Sequence, residues 1–218
     1  MTFGQSAGVA VSIAVITAVY AVACSAPVTH PEAAPTPYPE TAAIGVATYF
    51  ARDAEHPEQI VVQDVNSAQS EIVTAMYSFT YKPIWDAYVA AVKRGVAVTL
   101  LTDQTELRGN AAQTSGVASL CALGVKVREN VPKGRALEHL KLSVIDKRIG
   151  LVGSFNYTVS AVLTNDEILI RVASPLYAAD WRTHILKMYS DSTYSRDACS
   201  LVSPSTPTAT DNASDGGE

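Results

Sequence analysis

The chain is poor in the residues that usually advertise a metal centre. It has four histidines, His30, His56, His139 and His184, and three cysteines, Cys24, Cys121 and Cys199, none grouped at ligand spacing. A zinc site of the common spacings is therefore excluded, and no metal or other cofactor is expected. No internal repeat is visible, which argues against a solenoid or propeller. Charge is sparse: 17% of residues are charged and the formal net charge is −5, the wrong sign for binding nucleic acid by bulk charge. Lysine and arginine are also missing ahead of the apolar run 7–23, where an export signal normally starts with positive charge.

What is present divides the chain into four parts. Its 218 residues, 48% of them hydrophobic, suffice for one domain with a sizeable core. The apolar run, broken only by Ser12, Thr17 and Tyr20, places an export signal or a lipoprotein signal/anchor at 1–24. Ala21-Val22-Ala23-Cys24 resembles a bacterial lipobox, with Cys24 the lipidated residue; ordinary cleavage after Ala23 and an uncleaved anchor are the alternatives. Residues 25–44 form a proline-rich linker, 45–199 the folded domain, and 200–218 a Ser/Thr/Pro-rich, acidic tail expected to be disordered. The expected location is the bacterial periplasm or cell envelope, with membrane attachment through the N-terminus as one form.

Two cysteines then remain in the domain. In an oxidising compartment Cys121 and Cys199 form a disulfide; alternatively Cys121, beside Val117 and Leu120, is a buried small hydrophobe. The charge balance also changes once the ends are set aside. Glu32, Glu40, Asp211, Asp215 and Glu218 lie outside the domain and every lysine and arginine lies inside it, so the domain is neutral. Between residues 126 and 148, seven bases (Lys126, Arg128, Lys133, Arg135, Lys141, Lys147, Arg148) face three acids (Glu129, Glu138, Asp146). Such a cluster is either a solvated charged loop or a positive mouth for a phosphodiester; its position favours the mouth.

The hydrophobic pattern alternates strands and helices. Strands are expected at 45–50, 71–79, 96–102, 125–128 and 167–173, with 96–102 apolar enough to be buried on both faces. Helices are expected from Pro57, with Ile60, Val61, Val65 and Ala68 on one face, at 83–94 with Gly95 as a stop, at 111–123, and at 175–189. The fold class is α/β, a mixed central β-sheet flanked by helices on both faces.

The chemistry is concentrated between His139 and Asn156. Four residues separate His139-Leu140-Lys141 from Asp146, and six more separate Asp146 from Gly153-Ser154-Phe155-Asn156. Residues two apart on a strand share a face, so His139 pairs with Lys141 and Ser154 with Asn156. Asp146-Lys147-Arg148 is a polar break between two apolar runs, which predicts a hairpin turn that brings the two pairs together. An imidazole can attack phosphorus and form a covalent intermediate. Lysine supplies a point charge, while the serine hydroxyl and asparagine amide donate to phosphoryl oxygens. Gly153 would let the substrate approach the backbone.

This segment resembles the HKD motif of the phospholipase D superfamily at every fixed position, with one motif per chain. Tyr77-Ser78-Phe79-Thr80 at a strand end and Lys93-Arg94-Gly95-Val96 resemble small single-motif bacterial Nuc-type endonucleases, over about 45–190. The resemblance implies a phospholipase D-like fold, His139 as nucleophile, and Lys141, Ser154 and Asn156 as phosphate binders. Glu167, in Asn165-Asp166-Glu167, takes the place of the acid that orients the histidine. Asn165 binds phosphate or merely forms a turn. Asp146 and Gly153 belong to the motif as structural members.

Displacement through histidine needs a second group to protonate the leaving oxygen, and larger superfamily members carry a second motif for it. No second His-x-Lys occurs here, so a homodimer with one composite active site is expected. The leading expectation is a metal-independent, non-specific endonuclease acting through a phospho-histidine. The alternatives are a phospholipase D releasing phospholipid head groups, and a non-catalytic nucleic-acid or envelope binding protein.

Overall fold

A computed structural model describes residues 44–202. The signal, Cys24, most of the linker and the tail beyond Val202 lie outside the described residues. Eight strands, β1 (Gly45–Phe50), β2 (Glu71–Met76), β3 (Ala97–Thr102), β4 (Val127–Asn130), β5 (Lys141–Ile145), β6 (Ile149–Gly153), β7 (Ile168–Ala173) and β8 (Ser195–Asp197), form one sheet in the order β1-β7-β6-β5-β2-β3-β4-β8. The helices are α1 (Pro57–Ser67), α2 (Lys82–Lys93), α3 (Gln104–Gly109), α4 (Ala111–Ala122), α5 (Val159–Leu163), α6 (Pro175–Ser190) and α7 (Cys199–Val202). Strands β2, β3 and β4 are parallel and the remaining pairings are antiparallel, which makes the sheet mixed, as expected.

Strand periodicity divides the apolar residues between two layers. Ile72, Met76, Leu100, Ile145 and Leu151 pack under Val61 and Val65 of α1, Ile84 and Tyr88 of α2, and Val117 and Leu120 of α4. On the other face Val73, Ala75, Leu101, Leu142 and Val144 pack under Ala178 and Ile185 of α6. Fully burying one such side chain contributes roughly 1.5–3 kcal/mol, so these two layers account for most of the driving force.

Local signals set most element ends. Proline opens α1 and α6, where its missing N–H costs nothing, and Ser174 caps α6 by accepting from Tyr177 N–H. Asp146 and Lys147 both take left-handed φ, 51° and 56°, and Arg148 N–H donates to Ile145 O at 3.0 Å. This turn closes a three-residue connection, Asp146 to Arg148, between β5 and β6. It fixes the register Ile145 to Ile149 and Leu142 to Val152.

Several boundaries differ from the expectation, each for a tertiary reason. Strand β2 ends at Met76 rather than residue 79, because side chains capture the backbone of Phe79: its N–H donates to Gln113 Oε1 (2.7 Å) and its carbonyl accepts from Trp85 Nε1 (2.9 Å). Strand β4 starts two residues late, since Val125 N–H still donates to Leu120 O at the end of α4. The first half of β3 is not buried on both faces. Helices α3 and α5 and strand β8 were not anticipated. The ordered chain also continues past residue 199 into α7, where the Cys121–Cys199 disulfide joins it to α4.

Candidate active site

Folding at Asp146-Lys147 returns the end of β6 to the start of β5. Strands β2, β3 and β4 end at that same edge and β7 begins there. One open depression on this edge is lined by His139, Lys141, Gly153, Ser154, Asn156 and Glu167. Six of the residues singled out from the sequence thus meet in one place.

Each wall has an identifiable support. His139 is exposed, just ahead of β5, with its ring 4.6 Å from that of Tyr77 and inclined at 54°. Lys141 is buried; its Nζ donates to His139 O at 2.8 Å and stands 4.8 Å from the Tyr77 ring centre, a cation–π contact. Burial pushes the Lys141 ammonium below its ordinary pKa, and the carboxylates of Glu167, Glu138 and Glu106 oppose that shift without cancelling it. Tyr77 therefore floors both the nucleophile candidate and the cation. Its own phenol is pushed up by burial and then by Glu106 and Asp103.

The Gly153–Asn156 wall hangs on β7. Ser154 and Phe155 N–H groups both donate to Ile168 O, at 3.1 and 3.4 Å, and Ser154 Oγ accepts from Ile168 N–H at 3.1 Å. With that oxygen used as an acceptor, the Ser154 hydroxyl proton remains free to donate. Gly153 is required for a reason other than substrate approach: a Cβ there would stand 2.1 Å from Ile168 O. Asn156 carries a buried side-chain oxygen, Oδ1, without a hydrogen-bond partner, a costly state that a ligand hydroxyl or water relieves.

Beneath the site lies a buried hydroxyl cluster. Ser143 Oγ is 3.0 Å from Thr74 Oγ1, 3.2 Å from Tyr88 OH and 2.9 Å from Tyr157 OH. Ser143 is two residues beyond Lys141 and Tyr157 is next to Asn156, so this cluster ties the two walls together. Burial pushes both phenols up, which keeps them neutral donors.

The remaining expectations fall as follows. Glu167 lines the depression and accepts from Asn165 Nδ2 at 3.0 Å; Asn165 stands behind the carboxylate and does not line the depression. Asp146 lies at the far end of the hairpin, beside the start of β2, where it accepts from the N–H groups of Gln69, Ser70 and Glu71 and from Ser70 Oγ. Partial burial pushes its carboxyl up, but these hydrogen bonds outweigh that and hold it below the usual range. The seven-base cluster is split. Lys147 and Arg148 sit at the turn, roughly 20 Å from the site along β2 at ~3.3 Å per residue. Arg128 is engaged by Ser195 Oγ (2.7 Å), and Lys133 and Arg135 stay at the site edge on the loop before His139. Among the described residues no group of three or more His, Cys, Asp or Glu could hold a metal, and no helix is long and apolar enough to cross a membrane.

Sequence reasoning missed Tyr77 as the floor of the site and Glu138 as part of its frame. Glu138 is buried beside His139, and its carboxyl accepts from Leu140 N–H (3.2 Å) and Tyr194 OH (2.8 Å). Burial raises its pKa against those two hydrogen bonds. A glutamate next to a polar motif carries no sequence signal of burial.

A mixed α/β sheet with one histidine, one buried lysine and a Gly-Ser-x-Asn wall at a single edge defines a phosphate-handling domain. Comparison with known proteins makes the assignment specific. The family described as cardiolipin synthase, PLD-like domain, matches residues 61–189, and the chain belongs to this phospholipase D superfamily. Nuc of Salmonella typhimurium, a phospholipase D family member, superposes with a TM-score of 0.64 at 26% identity, over 71% of this chain and 98% of that one. NucT of Helicobacter pylori shares the fold, with a TM-score of 0.61 at 22% identity over 67% of this chain and 96% of that one. A mitochondrial cardiolipin hydrolase of Danio rerio is 27% identical over 148 residues, 68% of this chain and 60% of that protein. A phospholipase D of Rickettsia prowazekii is 28% identical over 127 residues, 56% of this chain and 60% of that protein. The chain thus spans about three-fifths of the length of these two curated relatives.

Proposed function

We propose that the chain is a phosphodiesterase that hydrolyses nucleic acid through a covalent phospho-histidine. The observation that carries the reading is the convergence of His139, Lys141, Ser154, Asn156 and Glu167 on one depression. His139 attacks phosphorus and the ester P–O bond breaks as the N–P bond forms. Lys141, the Ser154 hydroxyl and the Asn156 amide take the charge that builds on the phosphoryl oxygens. Glu167, in the same depression, orients the imidazole. Water then displaces His139 and restores it.

The leaving oxygen needs a proton from a second group. Of the described histidines, His56 lies 3.2 Å from Glu58 at the start of α1 and His184 is exposed on α6, so neither joins the depression. The proton comes from His139 of the partner subunit, across a two-fold axis that closes one composite site. The similarity to Nuc, which covers nearly all of that chain, supports nucleic acid as substrate. The Cys121–Cys199 disulfide supports export to an oxidising compartment.

Phospholipid is the second reading, favoured by a specific observation. Leu137, Val159 and Leu163, 45%, 50% and 72% exposed, flank the motif on the loop before His139 and on α5. Relatives named for cardiolipin hydrolysis and for phospholipase D point the same way. The test offers single- and double-stranded DNA, RNA, and phosphatidylcholine and cardiolipin vesicles to the full chain in EDTA, with His139→Ala as control. Nucleic-acid cleavage lost in the variant is the expected result. Head-group release alone would make the chain a lipase, and no His139-dependent turnover would leave a binding role.

A further inference from the structure

The residue before His139 is held by a segment far away in sequence. Glu138 is 1% exposed, and its N–H donates to Asp103 Oδ2 at 3.0 Å. Its two carboxylate oxygens accept from Leu140 N–H and from Tyr194 OH. His139 is thus bracketed, because Leu140 O also accepts from Tyr77 N–H at 2.9 Å. Tyr194 belongs to a strap, residues 191–202, that follows α6 and crosses the edge of the sheet. The strap fixes the entry to the same loop a second time, since Val131 N–H donates to Tyr194 O at 2.6 Å.

The strap is attached by one covalent bond together with a set of polar contacts and two buried residues, Ser195 and Ala198. Strand β8 is three residues long and, among the described residues, pairs with β4 alone. Arg128 Nε donates to Ser195 Oγ at 2.7 Å, Arg196 donates to Glu129 at 2.6 Å and to Gln104 Oε1 at 2.9 Å, and Ala198 N–H donates to Val127 O at 2.9 Å. Beyond these, the Cys121–Cys199 disulfide closes the strap onto α4, and both cysteines are half-buried against the edge of the core.

We propose that Glu138 and Tyr194 are positioning residues for His139, and that the Cys121–Cys199 disulfide keeps the strap seated so that turnover responds to thiols. The inference rests on the phosphodiesterase reading for its effect on turnover, but its structural part does not. A dithiol reductant would attack one sulfur and leave as its own cyclic disulfide. The Cys121–Cys199 bond breaks, and two electrons and two protons pass to the two cysteines. The strap then loses its covalent tie to α4, Tyr194 is held less firmly against Glu138, and His139 loses part of its bracket.

The test uses the full chain, oxidised and dithiol-treated, together with Tyr194→Phe and the double variant Cys121→Ser/Cys199→Ser. The first readout is amide hydrogen exchange without substrate. Reduction should speed exchange at Val131 and Leu140 while Val73 and Val144, in the sheet centre, keep their protection. The second is a kcat against KM split. Tyr194→Phe and reduction should each lower kcat by about ten-fold with little change in KM, as expected when a reacting group is displaced by a fraction of an ångström. Reoxidation should restore the wild type but not the double variant. Unchanged exchange at Val131 and Leu140 on reduction overturns the proposal whether or not any substrate is turned over. Unchanged kcat in Tyr194→Phe, with the wild type active, overturns it as well. An inactive wild type whose Val131 and Leu140 amides loosen on reduction supports the strap and condemns the phosphodiesterase reading instead.

Discussion

Replacing Gly153 by alanine separates two explanations for that glycine. A Cβ there meets Ile168 O at 2.1 Å and Ile168 C at 3.1 Å, both backbone atoms of the neighbouring strand. The first distance falls roughly 1 Å short of a tolerable approach, so the strand rather than a side chain must yield. Overpacking of this kind costs about 1–3 kcal/mol. Ile168 O also accepts from Ser154 and Phe155 N–H, and weakening those bonds adds up to ~1 kcal/mol each. Gly153→Ala should therefore lose about 3 kcal/mol, a large share of the 5–15 kcal/mol typical of a domain. Because Ser154 and Asn156 ride on the same backbone, kcat should fall by about 100-fold. Urea unfolding followed by circular dichroism measures the first, read as a lower midpoint at unchanged slope. A variant as stable as the wild type yet inactive would refute the strand-clash argument and restore substrate approach as the reason.

Three further outcomes follow from the site and its frame. Asp146→Asn should destabilise at neutral pH without altering kcat, because the carboxylate fastens the turn to β2 and lies outside the depression. Its folded pKa lies below the ordinary 3.8, so its stabilisation is complete above that value and is lost as pH falls through the lower folded one; the variant should lack that acid limb in a pH series of unfolding midpoints. Lys141 has a folded pKa below 10.5, so the buried ammonium penalises the fold at neutral pH and the penalty fades as pH rises through the folded value. Lys141→Met should accordingly keep or gain up to ~1 kcal/mol of stability while losing about 100-fold in kcat, and the wild-type rate should decline on the alkaline side before 10.5 is reached. Tyr157→Phe leaves Ser143 with Thr74 and Tyr88 as partners, so about 1 kcal/mol should be lost and kcat reduced less than ten-fold.

What was legible in the sequence is what local chemistry decides. The turn at Asp146-Lys147-Arg148 follows from a polar break between two apolar runs, and with it comes the meeting of the two motif halves. The start expected for the last long helix, at Pro175, is where α6 begins. The misses share a different cause, a partner distant in sequence. Strand β2 ends early because Gln113, 34 residues on, captures the Phe79 N–H. Glu138 reads as a solvated acid until Tyr194, 56 residues on, covers it. The charge cluster failed in the opposite direction. Closeness in sequence suggests closeness in space, whereas a hairpin sends its turn and its ends to opposite edges of the sheet.

That correction bears on substrate. With Lys147 and Arg148 carried to the far edge, the site edge keeps Lys141, Lys133 and Arg135 against Glu106, Asp103, Glu138 and Glu167. A single chain therefore offers little net attraction to a polyanion, and long-range steering by this edge should be weak. Two copies joined at this edge would bring two Lys141 and two Lys133-Arg135 loops to one cleft, while Asp103 and Glu138 remain committed to backbone and tyrosine donors. Much of the phosphate-binding field would then be a property of the dimer. On this reasoning activity should fall more steeply than in proportion to enzyme concentration on dilution, and it should weaken as salt is raised. A rate strictly proportional to enzyme through the concentration range where sedimentation shows monomer would mean that one depression suffices, and the leaving-group proton would then have to come from within the same chain.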